Sequence, residues 1–140
     1  MQKIHFYFHD QTGTLKDRKK LKIYIENLFF SEGKTLKTLS YIFCSDEYLL
    51  QINNGFLKHD FYTDVITFNL SEDKTEIEGE IYISLDRIKE NSRQMGVSFK
   101  EELHRVIFHG ALHLCGYKDK NKGDILTMRI KENYYINIYF

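Results

Sequence analysis

The sequence predicts a single α+β domain built from about four strands and about five helices. Three observations carry that expectation. The chain opens on strict alternation, Ile4, Phe6 and Phe8 between His5, Tyr7 and His9, the period of a half-buried strand. Two further β-branched and aromatic runs, Val65 to Leu70 and Glu80 to Leu85, flank an acidic stretch in mid-chain, and the last third carries helical spacing and caps. A length of 140 residues without an internal repeat or linker suits one domain; such a chain buries roughly 68–70% of its unfolded surface and needs no disulfide staples.

The elements follow in order. After Gly13 the apolar positions Leu15, Leu21, Ile25, Leu28 and Phe29 trace one helical face that ends near Ser31-Glu32-Gly33. Thr38 to Ser45 reads as the second strand, and Asp46 caps a short helix through Phe56 whose end Asn53-Asn54-Gly55 loosens. Val65 to Leu70 and Glu80 to Leu85 form an antiparallel hairpin, or neighbouring strands, around the acidic linker Ser71 to Gly79. Asp86 to Met95 is a helix closed by Gly96. Ser98 and Glu101 form a capping box for the next, and Asp124 to about Tyr135 is the last.

Twenty basic side chains balance twenty acidic ones, but they are sorted along the chain. Residues 1–40 hold eight basic and four acidic groups, 41–80 two and nine, and 81–140 ten and seven. The cluster Lys16, Arg18, Lys19, Lys20 and Lys22 either meets phosphates or is the solvated face of its helix. Neutrality argues against strong, indiscriminate nucleic-acid binding. No apolar run approaches the ~20 residues of a membrane span, and the first residues lack the pattern of a secretory signal. The expected setting is therefore the cytoplasm, where Cys44 and Cys115 read as buried free thiols.

The chemistry concentrates in residues 108–119. His109 and His113 are four apart on a predicted helix, so both imidazoles project from one face at the spacing that reaches one metal ion. Gly116 ends that helix, and a left-handed cap there turns Asp119 back toward them. Glycine at +7 and a ligand at +10 repeat the arrangement of metzincin sites, with a carboxylate as third ligand. Metzincins carry a glutamate base immediately after the first histidine. Here that position is Gly110, which disfavours peptide hydrolysis. A glycine inside a helix also implies a close approach, of a strand or of substrate. Val106, Ile107, Leu112, Leu114 and Cys115 read as packing. His5, His9, His59 and His104 read as surface or strand-flanking; His104 lies about 140° around the helix from His109.

The run His109 to Asp119 resembles the H-G-x-L-H-L-x-G-Y-D-H signature of the YbeY family of bacterial endoribonucleases. Thr63 to Phe68 resembles its P-T-D-V-L-S-F segment, and Gly79 to Ser84 its G-D-I-x-I-S strand, with order and spacing kept over residues 40–130. The resemblance implies a small mixed sheet in one domain spanning residues 1–140. It also implies one Zn²⁺ held by three residues and hydrolysis of single-stranded RNA phosphodiester bonds. The implied setting is small-subunit ribosomal RNA maturation and ribosome quality control, with ribosomal RNA and the ribosome or its associated proteins as partners. The alternative is a ribosome-assembly or RNA-binding factor whose metal is structural.

Three departures stand out. Asp119 replaces the third histidine, giving His109, His113 and Asp119 as the metal ligands; a shifted alignment would put Lys120 there instead. Leu57 replaces a loop arginine expected to face phosphate, with Lys58 or His59 as substitutes, and Tyr62 replaces a proline. Asp64 and Glu80 are candidates to orient an imidazole N–H, or solvated turn acids. No general base is assigned.

Overall fold

The computed structural model describes residues 2–10, 13, 15–57, 63–73 and 75–140, with the backbone alone at 56 and 57. Four strands form one mixed sheet in the order β1-β2-β4-β3: β1 (Ile4–Phe8), β2 (Thr35–Cys44), β3 (Val65–Asn69) and β4 (Glu76–Ser84). β1, β2 and β4 run parallel, and β3 pairs antiparallel on the outer edge of β4. The helices are α1 (Arg18–Ser31), α2 (Asp46–Leu57), α3 (Leu85–Met95), α4 (Phe99–Leu114) and α5 (Lys122–Tyr139). Among the described residues no helix is long and apolar enough to cross a membrane.

Most element boundaries fall within a few residues of the sequence expectation, and the differences have local causes. β4 begins inside the acidic linker because Glu76 and Ile77 pair with Thr35 and Leu36 of a longer β2. It ends at Ser84, not Leu85, because the Ser84 hydroxyl caps α3 by accepting the Arg87 N–H at 3.1 Å. The cap of α2 is Ser45, which accepts the Tyr48 N–H at 3.1 Å, and not Asp46. Asp46 is the first helical residue, and its carboxylate instead receives the Ser84 hydroxyl at 2.6 Å and Arg87 at 2.9 Å. α2 continues past Asn53 and Gly55 because Asn53 is buried. α5 starts earlier than expected, capped by Asn121 accepting the Asp124 N–H at 2.8 Å.

The core lies between the sheet and α1, α4 and α5. Leu21, Ile25, Leu28 and Phe29 of α1 meet Leu39, Tyr41 and Phe43 of β2 and Ile81 and Ile83 of β4. A smaller cluster under α2, Leu49 and Ile52 against Ile66 and Cys44, covers the opposite face beside β3. Leu21, Ile25, Phe29, Leu39, Tyr41, Ile81 and Ile83 are wholly inaccessible, and each such burial contributes roughly 1.5–3 kcal/mol.

α4 is the central helix. The Tyr41 hydroxyl donates to the Ile107 carbonyl at 2.8 Å, tying it to the sheet. The close approach implied by Gly110 is to a strand side chain. A Cβ there would lie 2.8 Å from Ile81 Cγ2, and reciprocally a Cβ on Gly79 of β4 would lie 2.8 Å from Leu114 Cδ1. Two absent side chains thus let helix and strand interlock.

Candidate metal centre

Interlocking leaves α4 little accessible surface. From Glu102 to Leu114 every residue is buried except Arg105, His109 and His113, spaced four apart. That periodicity puts them in one stripe along the helix, and the stripe is where α4 can do chemistry. β3 runs beside it, with Val65 packed toward the main core and Thr67 paired with the inward-facing Ile81.

The chain then reverses. α4 stops at Leu114, and the N–H groups of Cys115, Gly116 and Tyr117 bond back to the last turn. Gly116 adopts φ 109°, a conformation costly for any residue with a Cβ. Beyond it Asp119 Oδ2 lies 3.2 Å from His113 Nε2 and 3.4 Å from His109 Nε2, with the rings at 84° to each other. The donor atoms of the three residues all lie within 4.8 Å of one another. A tetrahedral ion with bonds of ~2.0–2.2 Å would separate its ligand atoms by ~3.3–3.5 Å. The donor set, two imidazoles and a carboxylate, is one that a divalent zinc ion accepts, and the spacing fits it.

Each imidazole is held from behind. His109 Nδ1 lies 2.6 Å from Glu132 Oε2 on α5, while the other oxygen of Glu132 takes Arg105 at 3.2 Å and Arg129 at 3.3 Å. Burial alone would raise the Glu132 carboxyl, but the hydrogen bond and charge of His109 and the two arginines outweigh it and hold it low. Burial alone would likewise lower His109; the bond and charge of Glu132, with Asp64 and Asp119, leave it raised. His113 Nδ1 faces the Tyr117 main-chain carbonyl at 2.9 Å. The Tyr117 hydroxyl in turn donates to Glu32 at the end of α1, at 2.6 Å, beside Tyr135 and Lys131 on the same carboxylate.

Two cavities meet at this point. One of ≈ 500 Å³ runs along β3, lined by Thr63, Asp64, Thr67, Asn69, His109 and Asp119. The other, ≈ 400 Å³, lies toward α3 and α5 and shares Asp64, His109 and Asp119 with the first. Asp64 is buried enough that its carboxyl is raised, although His109 works against the shift.

The structure thus brings His109, His113 and Asp119 together and places Asp64 beside them. Of the carboxylates considered for orienting an imidazole, neither makes that bond. Asp64 takes Asn91 at 3.4 Å, and Glu80 accepts the Tyr82 hydroxyl at 3.1 Å. Glu132 does so instead, and no local spacing in the sequence pointed to it. His104 corrects the surface reading: it is 3% exposed, among Phe108, Tyr139 and Phe140, because α4 is buried on that side. His5 lies within β1, half-buried, and the exposed His9 follows its end. Cys115 is half-buried rather than buried, and burial pushes both free thiols up to about 12. In the basic cluster, Arg18, Lys20 and Lys22 lie over the rings of Phe8, Tyr139 and Phe6. The side chain of Leu57, with Lys58, His59 and Tyr62, lies outside the described residues.

A sequence model described as Endoribonuclease YbeY matches residues 8–139. The chain belongs to the endoribonuclease YbeY family. A YbeY relative from Cytophaga hutchinsonii is 48% identical over 130 residues, covering 93% of this chain and 91% of its own. Another YbeY protein, from Porphyromonas gingivalis, is 44% identical over 132 residues, covering 94% and 87%. The solution structure of TM1509 from Thermotoga maritima superposes with a TM-score of 0.65 at 31% identity, covering 97% of this chain and 88% of that one. Against the YbeY signature, Asp119 and not Lys120 is the residue that meets the two histidines.

Proposed function

We propose that this chain is a zinc-dependent endoribonuclease that cleaves single-stranded RNA. It serves small-subunit ribosomal RNA maturation and ribosome quality control in the cytoplasm, as one catalytic domain over residues 1–140. Its partners are ribosomal RNA and the ribosome or proteins bound to it. The observation that carries this reading is the convergence of His109, His113 and Asp119 at the meeting point of two cavities, in a chain of the YbeY family. Open space beside the three donors supports catalysis over a purely structural metal.

His109 and His113 would hold the ion through Nε2 and Asp119 through Oδ2. Bound there, zinc would supply Lewis-acid chemistry, activating a water and offsetting charge on a phosphoryl oxygen. Hydrolysis forms a P–O bond to the water oxygen, breaks the P–O bond to the leaving ribose oxygen and moves a proton to that oxygen. Asp64 faces both cavities beside the three donors, where it can hydrogen-bond a water or a ribose hydroxyl. The exposed Lys118, Lys120 and Lys122 flank Asp119, where a polyanion would enter.

Metal analysis and cleavage of a single-stranded RNA on the same samples test this. Wild type should carry about one zinc per chain and cut. His113→Ala and Asp119→Ala should lose both the metal and the cleavage. Wild type without stoichiometric metal, or undiminished cleavage in both variants, refutes the proposal.

A further inference from the structure

We infer that Glu132 is a positioning residue of the metal centre: it fixes the His109 ring so that Nε2 faces the ion, and it makes His109 a stronger donor than His113. The inference rests on the metal reading above, and it begins with what the carboxylate can do. Glu132 is 5% exposed, and one of its oxygens receives both Arg105 and Arg129. An ionised carboxylate only accepts hydrogen bonds, so at 2.6 Å His109 must place its hydrogen on Nδ1. The lone pair is then left on Nε2, which is the nitrogen that Asp119 approaches.

His113 reaches the same tautomer by another route. Its Nδ1 faces the Tyr117 carbonyl, which also only accepts, so its Nε2 too is free. The difference lies in charge. A peptide carbonyl orients a ring, whereas a buried anion also draws its N–H proton and makes the opposite nitrogen more basic. Glu132 reaches the site from α5, whose own buried face, Met128, Tyr135 and Ile136, fixes the helix against the core. The carboxylate is therefore supplied to the ligand segment from outside it.

A merely structural role, an ion-paired anchor between α4 and α5, makes different predictions. Nitrogen-15 NMR of the metal-free wild type at alkaline pH should show His109 and His113 both protonated on Nδ1. An Nε2–H signal for His109 overturns the inference and needs neither variant nor metal. Chelator competition should show Glu132→Gln binding zinc roughly 10–100-fold more weakly than wild type, with cooperative unfolding retained. Zinc affinity equal to wild type, whatever the loss of stability, reduces Glu132 to an anchor and overturns the positioning role. Should Glu132→Gln fail to fold, Glu132→Asp, which keeps the charge but draws it back from Nδ1, takes its place in the same competition, with the same weakening expected and unchanged affinity again overturning the positioning role. A wild type that binds no zinc refutes the metal reading, and the His109 tautomer still tests the contact with Glu132.

Discussion

His109 and His113 stand one helical turn apart on α4 and face the same aspartate oxygen, yet they are held in unlike ways. The first rests on a buried anion twenty-three residues away on another helix. The second rests on a neutral carbonyl four residues further along its own segment, and that segment is pinned through Tyr117 to Glu32. Losing the first ring takes one of three partners from a buried carboxylate that keeps Arg105 and Arg129; losing the second leaves a carbonyl near solvent. Two imidazoles equivalent on paper therefore carry different energetic weight in the fold.

The largest expected effect breaks that symmetry directly. In metal-free protein, His109→Ala should cost about 2 kcal/mol, the scale of a buried hydrogen bond to a charged group, because Glu132 keeps its two arginines but loses the bond to the ring. His113→Ala should cost about 1 kcal/mol, the scale of a single neutral hydrogen bond. Urea unfolding of both measures the gap, and equal losses would erase the distinction drawn between the two supports.

A smaller effect moves both rings together. Alanine at position 110 would favour an isolated helix by about 0.5–1 kcal/mol. In the protein its Cβ would meet Ile81 at 2.8 Å, so Gly110→Ala should be destabilising by about 1–2 kcal/mol net and should weaken zinc binding. A stabilised variant would show that the interlock with β4 yields easily and does not set the height of the stripe.

The smallest effect uses a third histidine as contrast. His104 is buried with its Nδ1 2.7 Å from the Lys100 carbonyl; burial, with the charges of Lys100 and Lys20, outweighs that bond and Asp17 and lowers its pKa where that of His109 is raised. The unfolded chain gains a proton near pH ~6.5 that folded His104 gains only at lower pH. Stability is therefore full above that pH and declines as the pH falls below it. His104→Leu should flatten part of this decline in unfolding curves of the metal-free protein. An unchanged slope would mean that other groups carry it.

Local signals account for what the sequence disclosed. Alternation in β1, the Ser98 cap and the spacing of His109, Gly116 and Asp119 each act over a few residues, so the convergence of His109, His113 and Asp119 could be read directly. Glu132 could not, because its role depends on how α5 crosses α4. The burial of His104 was hidden for the same reason: one face of a helix looks solvated until a second helix is laid on it. The early start of β4 came from pairing with β2, against an acidic composition that reads as a loop.

The three donors occupy only eleven consecutive residues, and that shortness has a thermodynamic consequence. An unfolded chain keeps so short an arc intact and closes it at little entropic cost, so it would retain part of the affinity that the proposed site has for an ion. The ion can stabilise the native state only by the difference between its two affinities. That difference is supplied by what the unfolded arc lacks, Glu132 on α5 and the Glu32 clamp at the end of α1. The rise in melting temperature on adding zinc would then report how well two remote helices pre-arrange the ligands, more than how strongly the ligands bind.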